Sequence, residues 1–373
     1  MKILELGKFY PPYRGGMETL LECWSRGFVR RGGEVNCVVA NTASQTVHEV
    51  LDGVKVHRLA SHGSLLSTSL CPAYLSATKT YPSDVWQAHF PNPLADVACL
   101  RGDPKTPMVL TYHSDIIRQS SVLKFYRPIL KRLLDRADVI VVATPNHLKY
   151  SHTLPPYAAK VEVIPFGIDQ SRFLHTDAAE QEEVVTLRQK AQMRPILLNI
   201  GRLVGYKGQS YLVDAIQGLD VEVWFAGTGP LQAELEQQVS RLGLQNRVKF
   251  WGGVDDRKLA TLLKACDVFV FPSITPNEAF GIVQIEAMAC AKPIICTDLP
   301  SGVPWVNQHN VTGLVVKPSD VQDLRNGIKQ LIENPALARK MGEQGRQRAA
   351  VEFTEDRMID RYWELFQRLR QRA

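Results

Sequence analysis

The chain has 373 residues, a length that suits two domains, and its 45% hydrophobic and 22% charged residues are ordinary for a globular protein. No stretch approaches the roughly 18 consecutive apolar residues of a membrane-spanning helix, and the seven scattered cysteines contain no Cys-x-x-Cys pair that would hold zinc. The amino terminus lacks the long apolar region of a signal peptide, so we expect a cytoplasmic protein with reduced thiols.

The net charge of +6 is concentrated in the first half of the chain. Residues 1–168 contain 19 Lys and Arg against 13 Asp and Glu, whereas the remaining residues contain 25 of each class. Many of the basic residues lie in 118–136, where they alternate with large apolar residues. Such a segment either packs its apolar face inward and solvates its charges, or lies on an anionic membrane surface. The charge asymmetry favours an anionic partner for the first half of the chain. We expect this partner to be the inner face of the plasma membrane, which the protein would contact peripherally.

Short β-branched runs alternate with helical patterns along the whole chain, which is typical of parallel sheets covered on both faces. In the first half the pattern predicts strands at 2–6, 34–40, 54–59, 84–89, 108–112, 138–143 and 161–164, and helices at 17–31, 120–136 and 145–151. In the second half it predicts strands at 196–200, 221–226, 248–250, 268–271, 294–297 and 314–316, and helices at 208–217, 231–242, 257–264, 281–289, 321–333, 336–352 and 355–370. Because the alternation occurs twice, we predict an α/β protein of two doubly wound, Rossmann-like domains.

The polar and charged stretch 169–194 separates two strong predicted strands, and we expect the domain boundary there. Residues 1–168 then form an N-terminal domain and residues 169–354 a C-terminal domain. The last helical pattern is rich in large apolar residues, including Trp363 and Phe366. We expect the segment 355–373 to pack back on the N-terminal domain.

The first predicted loop, residues 7–16, joins a strand to a helix and ends in Gly15-Gly16. Two glycines at the start of a helix let a ligand approach the backbone closely. The spacing is not Gly-x-Gly-x-x-Gly, so the loop is no dinucleotide fingerprint. A tight strand-to-helix turn explains the glycines equally well.

Two further segments follow predicted strands of the first half. His113, in Thr-Tyr-His-Ser-Asp115, lies at the carboxyl end of a strand, where open α/β sheets bind ligands. His89 and Asn92, in His-Phe-Pro-Asn-Pro, take a similar position. We interpret His113 with Asp115 as candidates for polar substrate contacts, whereas His89 has a structural interpretation as well.

The second half begins with a similar loop, in which Arg202 follows Gly201 and Lys207 precedes a helix. An Arg and a Lys five residues apart on such a loop can both reach a diphosphate, although two solvated bases are the alternative. The loop lacks the Gly-Lys-Ser/Thr ending of a Walker A motif. Gly227, in Ala-Gly-Thr-Gly-Pro, follows the next strand and could flank phosphates.

Two carboxylates, Glu278 and Glu286, surround a Phe280-Gly281 pair at a predicted helix start. If Glu278 capped this helix and Glu286 lay two turns in, they would be about 12 Å apart along its axis. A carboxylate pair working on one glycosidic bond is separated by only ~5–9.5 Å. The spacing suits a grip on two parts of a nucleotide sugar, and a capped amphipathic helix with one solvated Glu is the simpler alternative.

Other reactive motifs are absent from the sequence. It contains no Asp-x-Asp that would hold a divalent ion against a diphosphate, no His-Glu-x-x-His and no Gly-x-Ser-x-Gly. We therefore expect no catalytic metal. A two-domain NAD-linked oxidoreductase would need a complete Gly-x-Gly-x-x-Gly with an acid about 20 residues further on, and neither half has one.

Taken in order, these motifs resemble the retaining glycosyltransferases of family 4, the group 1 transferases with the GT-B fold. The resemblance covers nearly the whole chain and rests on the loop ending in Gly15-Gly16, on Thr-Tyr-His113-Ser-Asp115, on Ile164-Pro-Phe-Gly167-Ile-Asp169, on Gly201-Arg202 with Lys207-Gly208, on Ala226-Gly227-Thr-Gly229-Pro and on Glu278-Ala-Phe-Gly281 with Glu286-Ala. It implies two Rossmann-like domains facing across a cleft, with a nucleotide diphosphate sugar as donor and no cofactor or metal.

The resemblance also implies roles for individual residues. The catalytic group is His113, Arg202, Lys207 and Glu278, in which the Arg and the Lys neutralise the diphosphate. The donor-binding group is Gly15, Gly16, Gly201, Gly227, Val254, Phe280, Gly281, Ile282, Val283 and Glu286. Within it, Glu286 accepts from the ribose hydroxyls, backbone near Val254 borders the base, and Gly16 faces the phosphates across the cleft from Lys207. The acceptor-binding group is Tyr13, His89, Asn92 and Asp115.

The activity expected from the resemblance is transfer of a hexose, mannose or a similar sugar, to a lipid-linked saccharide or glycolipid, with retention of the anomeric configuration. The setting is cell-surface polysaccharide or lipopolysaccharide synthesis. A glycogen- or starch-type synthase and a sugar-nucleotide epimerase are alternatives with the same fold. The base, GDP or UDP, the acceptor and the linkage are left open.

Overall fold

The chain folds into two compact units, seen in a computed structural model that describes residues 1–13, 15–65, 68–115 and 120–372. Unit 1 consists of Met1–Phe166 with Glu355–Ala373, and unit 2 is Gly167–Thr354. Each unit has a central sheet that is almost entirely parallel. The prediction of an α/β protein with two doubly wound units is confirmed. Arg14 of the first loop and Arg118 of the basic segment lie outside the described residues.

Unit 1 begins with a strand and a helix and then alternates between the two. Its strands are β1 (Lys2–Leu6), β2 (Glu34–Ala40), β3 (Val47–Leu51), β4 (Val54–Leu59), β5 (Ser64–Leu65), β6 (Thr68–Ser69), β7 (Val85–Phe90), β8 (Met108–Tyr112), β9 (Val139–Val142) and β10 (Val161–Val163). Its first helices are α1 (Gly16–Arg30), α2 (Ala77–Thr80), α3 (Pro93–Arg101), α4 (Ser120–Arg136) and α5 (Pro145–Tyr150).

The main sheet of unit 1, over the described residues, has the order β10-β9-β8-β7-β1-β2-β4-β3, and only β3 runs antiparallel to its neighbour. The chain winds outward from β1 through β2 and β4, and then continues from β7 in the other direction. The strand order therefore reverses between β1 and β7, which is the point where open sheets bind ligands.

The sequence patterns missed β3 and α3. Strand β3 lies at the sheet edge, and its residues are exposed or half-buried, so they lack the apolar run of a central strand. Helix α3 buries small residues, among them Ala95, Ala98 and Cys99. Because its apolar residues form no single stripe, the period of a surface helix is missing.

Unit 2 contains the remaining strands and most of the remaining helices. The strands are β11 (Ile196–Ile200), β12 (Glu222–Ala226), β13 (Val248–Gly252), β14 (Val268–Phe271), β15 (Ile294–Thr297) and β16 (Gly313–Val316). The helices are α6 (Ser171–Leu174), α7 (Ala178–Lys190), α8 (Gln209–Ala215), α9 (Gln232–Arg241), α10 (Asp256–Ala265), α11 (Val283–Ala289), α12 (Val303–Val306), α13 (Val321–Ile332) and α14 (Pro335–Glu352). The sheet order is β13-β12-β11-β14-β15-β16, all parallel, so the order reverses between β11 and β14.

Helix α7 occupies the stretch that was interpreted as the boundary. The carboxylate of Asp177 accepts a hydrogen bond of 2.8 Å from the backbone N–H of Glu180 and caps the helix. Val184 and Leu187 are buried, and Glu180 forms an ion pair of 2.7 Å with Lys264 on α10. The chain therefore divides at Phe166, before this stretch, because the charged helix is packed into unit 2.

The last helix, α15 (Glu355–Arg370), packs within unit 1 against α1. Gly27 of α1 permits this approach, since a Cβ there would lie 2.6 Å from the Ile359 side chain. The ring centroid of Phe366 is 5.1 Å from that of Phe28, and both rings are fully buried. No helix in the described part of the chain combines the length and hydropathy needed to cross a bilayer.

We predict that Phe366→Ala lowers the unfolding free energy of unit 1 by about 3–5 kcal/mol, because it empties a buried aromatic site between α1 and α15. Urea unfolding followed by the 19F signal of fluorotryptophan at Trp86, in the core of unit 1, measures the change. The exposed Gln367→Ala on the same helix is the control and should stay within about 0.5 kcal/mol. Equal stability of the two variants would contradict this packing.

Candidate functional site

The predicted site residues lie at or after the carboxyl ends of parallel strands in both units. In unit 2, Gly201 follows β11 and Gly227 follows β12, and both strands are next to each other in the sheet. In unit 1, His89 lies in β7 and His113 follows β8. Each group is thus at the edge of its sheet where ligands bind.

The glycines of unit 2 bring the loops after β11, β12 and β14 into direct backbone contact. A Cβ on Gly227 would lie 2.1 Å from the carbonyl oxygen of Gly201, and a Cβ on Gly208 would lie 2.0 Å from that of Pro272. All three glycines have positive φ, from 69° to 148°. Larger residues would force these loops apart, so the glycines build a compact backbone platform.

Lys207 and Glu278 meet on this platform. The Lys207 side chain runs beside Gly201 and lies over the Phe271 ring, with Nζ 4.9 Å from the ring centroid. Its Nζ is 2.5 Å from Oε2 of Glu278, and only 12% of each side chain is exposed. The same Oε2 accepts a hydrogen bond of 3.3 Å from Ser273 Oγ. The structure thus brings together two of the four residues predicted to be catalytic, as an ion pair.

Glu278 does not cap the helix that carries Glu286, contrary to the geometry considered from the sequence. Helix α11 begins at Val283, after Ile282, and no side chain caps it. The chain turns into it at Gly281, where φ is 76° and a Cβ would lie 2.6 Å from the Phe271 ring. This turn leaves Glu278 in the preceding loop, where Lys207 holds it.

Glu286 is not a solvated surface residue, since only 14% of its side chain is exposed. Its Oε1 accepts a hydrogen bond of 3.2 Å from the guanidinium of Arg172, which also forms an ion pair of 2.9 Å with Asp256. Burial raises the pKa of Glu286 to about 7, and the charge of Arg172 opposes this rise. The carboxyl group therefore changes its protonation state near neutral pH.

The other residues of unit 2 predicted to bind the donor differ in their exposure. Arg202 is exposed on the loop after Gly201, and Phe280 is buried. Val254 is half-buried between β13 and α10, just before Asp255, whose carboxylate caps α10.

In unit 1, His89 and His113 form a buried chain with a third residue, Glu5 of β1. Oε2 of Glu5 is 3.0 Å from Nε2 of His89, and Nδ1 of His89 is 3.4 Å from Nε2 of His113. Trp24 stacks on His89 with 4.8 Å between ring centroids. Burial lowers the pKa of His89 to about 3 and that of His113 well below its ordinary value, so both rings are neutral.

Two residues predicted to bind the acceptor, Asn92 and Asp115, form hydrogen bonds within unit 1. The Asn92 amide is buried and donates a hydrogen bond of 3.0 Å to the carbonyl of Gly7. The Asp115 carboxylate accepts from Tyr112 Oη and Ser151 Oγ, both at 2.7 Å, and from the His152 backbone N–H at 2.9 Å. Through these three hydrogen bonds, the carboxylate links the loop after β8 to the segment after α5.

The loop before α1 has a polar and an aromatic feature. Glu18, in the first turn of α1, is buried, and a Cβ on Gly15 would lie 2.2 Å from its Oε2. A carboxylate therefore already lies beside the glycines predicted to face phosphates, and Gly16 follows as the first helical residue. Tyr13 is 47% exposed and stacks on Phe9 with centroids 4.5 Å apart.

Sequence reasoning did not identify Glu5, Glu18 or Arg172. A glutamate within an otherwise apolar strand was the signal for Glu5, because such a residue is buried only with a partner. An acid in the first turn was the signal for Glu18. Arg172 had no signal, since its contact with Glu286 joins residues 114 positions apart.

Comparisons with known proteins give consistent matches. Residues 14–172 match the family described as Glycosyltransferase Family 4, and residues 181–348 match Glycosyl transferases group 1. The chain is 33% identical to O-antigen chain mannosyltransferase C of Escherichia coli, over 98% of both chains. It is 39% identical to D-rhamnosyltransferase WbpZ of Pseudomonas aeruginosa, over 81% of this chain and 78% of that protein. Sucrose-phosphate synthase from Thermosynechococcus elongatus has the same fold, with a TM-score of 0.82, 23% identity and full coverage of both chains.

We predict that Glu286 makes unit 2 less stable as the pH rises from 5 to 8. Its folded pKa of about 7 exceeds the value of about 4.3 in an unfolded chain, so only the folded state keeps this proton at intermediate pH. The resulting stabilisation is complete below pH ~4 and is lost as the pH rises through 7. Glu286→Gln should remove this component, which is at most about 4 kcal/mol.

Urea unfolding at pH 5, 6.5 and 8, followed by fluorotryptophan at the buried Trp224 of unit 2, tests the prediction. The exposed Glu182→Gln on α7 is the control and should reproduce the wild-type curve. If Glu286→Gln has the same pH dependence as the wild type, the raised pKa is wrong.

Proposed function

Because this chain belongs to the group 1 glycosyltransferases, we propose that it transfers mannose, or a hexose of the same configuration, from GDP-mannose or a similar donor to a growing cell-surface polysaccharide. The two relatives support this choice of sugar, since their names specify mannose and D-rhamnose, which is 6-deoxymannose. In the structure, the observation that carries the proposal is the Lys207–Glu278 pair on the glycine platform of unit 2.

The donor's diphosphate takes the place of Glu278 as the partner of Lys207. A lysine with only 12% of its side chain exposed needs a negative partner, and Glu278 supplies it when no donor is bound. Gly201 and Gly227 let phosphate oxygens approach the backbone, and the exposed Arg202 adds a second charge. The displaced Glu278 carboxylate can then accept hydrogen bonds from hydroxyls of the sugar.

Glu286 binds the nucleoside end of the donor. Its ionised carboxylate accepts hydrogen bonds from the two ribose hydroxyls, and backbone near Val254 borders the base. The proximity of Arg172, at 3.2 Å, supports the ionised form despite the burial. The segment between the two carboxylates in the chain contains Phe280, Gly281, Ile282 and Val283. In this proposal its backbone runs beside the sugar and the phosphates of the donor.

The reaction breaks the bond between the anomeric carbon and the diphosphate oxygen, and the electron pair goes to the diphosphate. Lys207 and Arg202 stabilise the charge that develops there, so the proposal needs no metal ion. An acceptor hydroxyl attacks the same face of the sugar, forms the new glycosidic bond and passes its proton to the leaving phosphate oxygen. The configuration at the anomeric carbon is then retained.

Unit 1 binds the acceptor in this proposal. The exposed Tyr13, stacked on Phe9, offers a flat apolar surface of the kind that packs against a sugar ring. His113 contributes a neutral polar group, and the acceptor is a saccharide on a lipid carrier. His89, Asn92 and Asp115, predicted to bind the acceptor as well, are held in place by the contacts described above.

We predict that GDP-mannose raises the melting temperature and is consumed only when a saccharide acceptor is present, with or without EDTA. Lys207→Ala should lower kcat about 100-fold or more, because it removes a charge contact that strengthens as the phosphate leaves. A panel of GDP-, UDP- and ADP-linked hexoses, tested by thermal shift and then by product NMR, measures both donor choice and anomeric configuration.

The exposed Lys329→Ala on α13 is the control for that experiment and should keep the wild-type turnover. Near-normal turnover in Lys207→Ala contradicts the diphosphate assignment. Transfer from UDP- or ADP-glucose to a glucan alone would instead identify a glycogen- or starch-type synthase, and an inverted product would exclude same-face attack.

We further propose that unit 1 contacts an anionic membrane through the outer face of α4. Leu133 and Leu134 are buried, so this helix packs its apolar face inward. Arg127, Lys131 and Arg132 of the same helix are exposed. In this arrangement the basic side chains of α4 contact the anionic lipid headgroups, and the helix does not insert into the bilayer. The contact would place a lipid-linked acceptor near unit 1.

We predict that the protein sediments with phosphatidylglycerol-containing vesicles at low salt and is released by 0.5 M salt. The double variant Arg127→Gln/Arg132→Gln should bind about 30-fold more weakly, since each basic residue near such a surface contributes about 1 kcal/mol. Arg241→Gln/Lys329→Gln, two exposed residues of unit 2, is the matched control. Equal binding of the two double variants, or none by the wild type, removes the membrane contact.

A further inference from the structure

The buried chain Glu5–His89–His113 joins three strands of unit 1 by side-chain contacts. The residues come from β1, β7 and the end of β8, which are neighbours in the sheet. Glu5 is fully buried, and 6% and 7% of His89 and His113 are exposed. Trp24 packs against both imidazoles, with ring centroids 4.8 and 6.2 Å away, and limits their rotation. The three groups therefore keep one geometry.

This geometry admits two arrangements of protons when both imidazoles are neutral. If Glu5 is ionised, His89 donates from Nε2 to Glu5, His113 donates from Nε2 to His89, and Nδ1 of His113 carries a lone pair. If Glu5 is protonated, Glu5 donates to Nε2 of His89, His89 donates from Nδ1 to Nε2 of His113, and Nδ1 of His113 carries the proton. The state of Glu5 thus decides whether Nδ1 of His113 accepts or donates.

The surroundings of Glu5 favour its protonated state. Among the described residues, its neighbours on the adjoining elements are Cys37 on β2, Gln87 and His89 on β7, and Tyr362 on α15, none of which is a cation at neutral pH. The second carboxyl oxygen, Oε1, has no hydrogen-bond partner within the part of the chain that the structure describes. An isolated carboxylate in this position is costly, and burial accordingly raises the pKa of Glu5 well above its ordinary value.

We infer that Glu5 is a positioning residue that acts through His89 to fix His113 as a hydrogen-bond donor at Nδ1, directed to an uncharged hydroxyl of the bound sugar. The inference rests on the proposed function for the identity of the ligand. It has a consequence for the chemistry: a nitrogen that carries a proton cannot accept the proton of the acceptor hydroxyl. In the proposed reaction that proton goes to the leaving phosphate oxygen, and His113 does not compete for it.

The test is the imidazole tautomer, which long-range 1H–15N correlation spectra of 15N-histidine-labelled protein show directly. The chain has nine histidines, and His113→Gln and His89→Gln assign the two signals by their loss. We expect Nδ1–H for both rings from pH 6 to 8 in the wild type. Glu5→Gln can donate from its amide to Nε2 of His89 and should keep this tautomer, whereas Glu5→Leu should give a mixture.

Kinetics give the second readout. Glu5→Leu should lower kcat about tenfold, the effect of one lost oriented hydrogen bond, with donor KM changed less than twofold. Glu5→Gln should recover most of that loss. An Nε2–H tautomer of His113 in the wild type overturns the inference, as does Glu5→Leu with unchanged tautomers and turnover. If Glu5→Leu does not fold, the wild-type and Glu5→Gln spectra still decide.

The two proposals fail separately. The spectra are recorded on the free protein, so the tautomer result does not depend on which sugar nucleotide is bound. If the protein binds no nucleotide sugar, the proposed function fails while the assignment of Nδ1–H stands. If transfer from GDP-mannose occurs but His113 carries its proton on Nε2, the proposed function stands and the role of Glu5 is rejected.

Discussion

The half-buried charge of Lys207 constrains the whole candidate site of unit 2. An ammonium group that is mostly removed from water is costly unless a negative group is close, and Glu278 lies 2.5 Å away. A ligand that displaces Glu278 from Lys207 must therefore bring a negative charge of its own. A diphosphate meets this condition and a neutral saccharide does not. The glycine platform, the nearby Arg202 and the family of the chain all agree with that ligand.

In unit 1, the candidate histidines at the carboxyl ends of the strands are uncharged, in contrast to the charged Lys207 and Glu278 of unit 2. His89 and His113 are neutral because they are buried, and burial also raises the pKa of the Glu5 carboxyl group well above its ordinary value. Neutral hydrogen-bonding groups recognise hydroxyls without competing with the cations for phosphate. In the proposed function, the two units thus divide the recognition of a nucleotide sugar and its acceptor by charge, even though both have doubly wound sheets.

Much of the fold could be predicted from the sequence, because strands such as β1 and β11 are apolar runs followed by glycine-containing loops. The candidate residues Lys207, Glu278 and Glu286 could be found because each lies in a local motif. The contacts between them could not, since Lys207 and Glu278 approach only through packing of the loops after β11 and β14. Helix α7 was missed because its charged surface hides two buried apolar residues, Val184 and Leu187. The contacts of Asp115 could not be predicted because two of its three donors, Ser151 and His152, are 36 and 37 positions away in sequence.

A crystal structure of the protein with bound GDP-mannose, or with an analogue that cannot be transferred, tests the central claim most directly. The account predicts that Lys207 Nζ lies within hydrogen-bond distance of a phosphate oxygen and that Glu278 has turned to the sugar hydroxyls. A bound nucleotide sugar with the Lys207–Glu278 contact intact and no lysine on its diphosphate would contradict it.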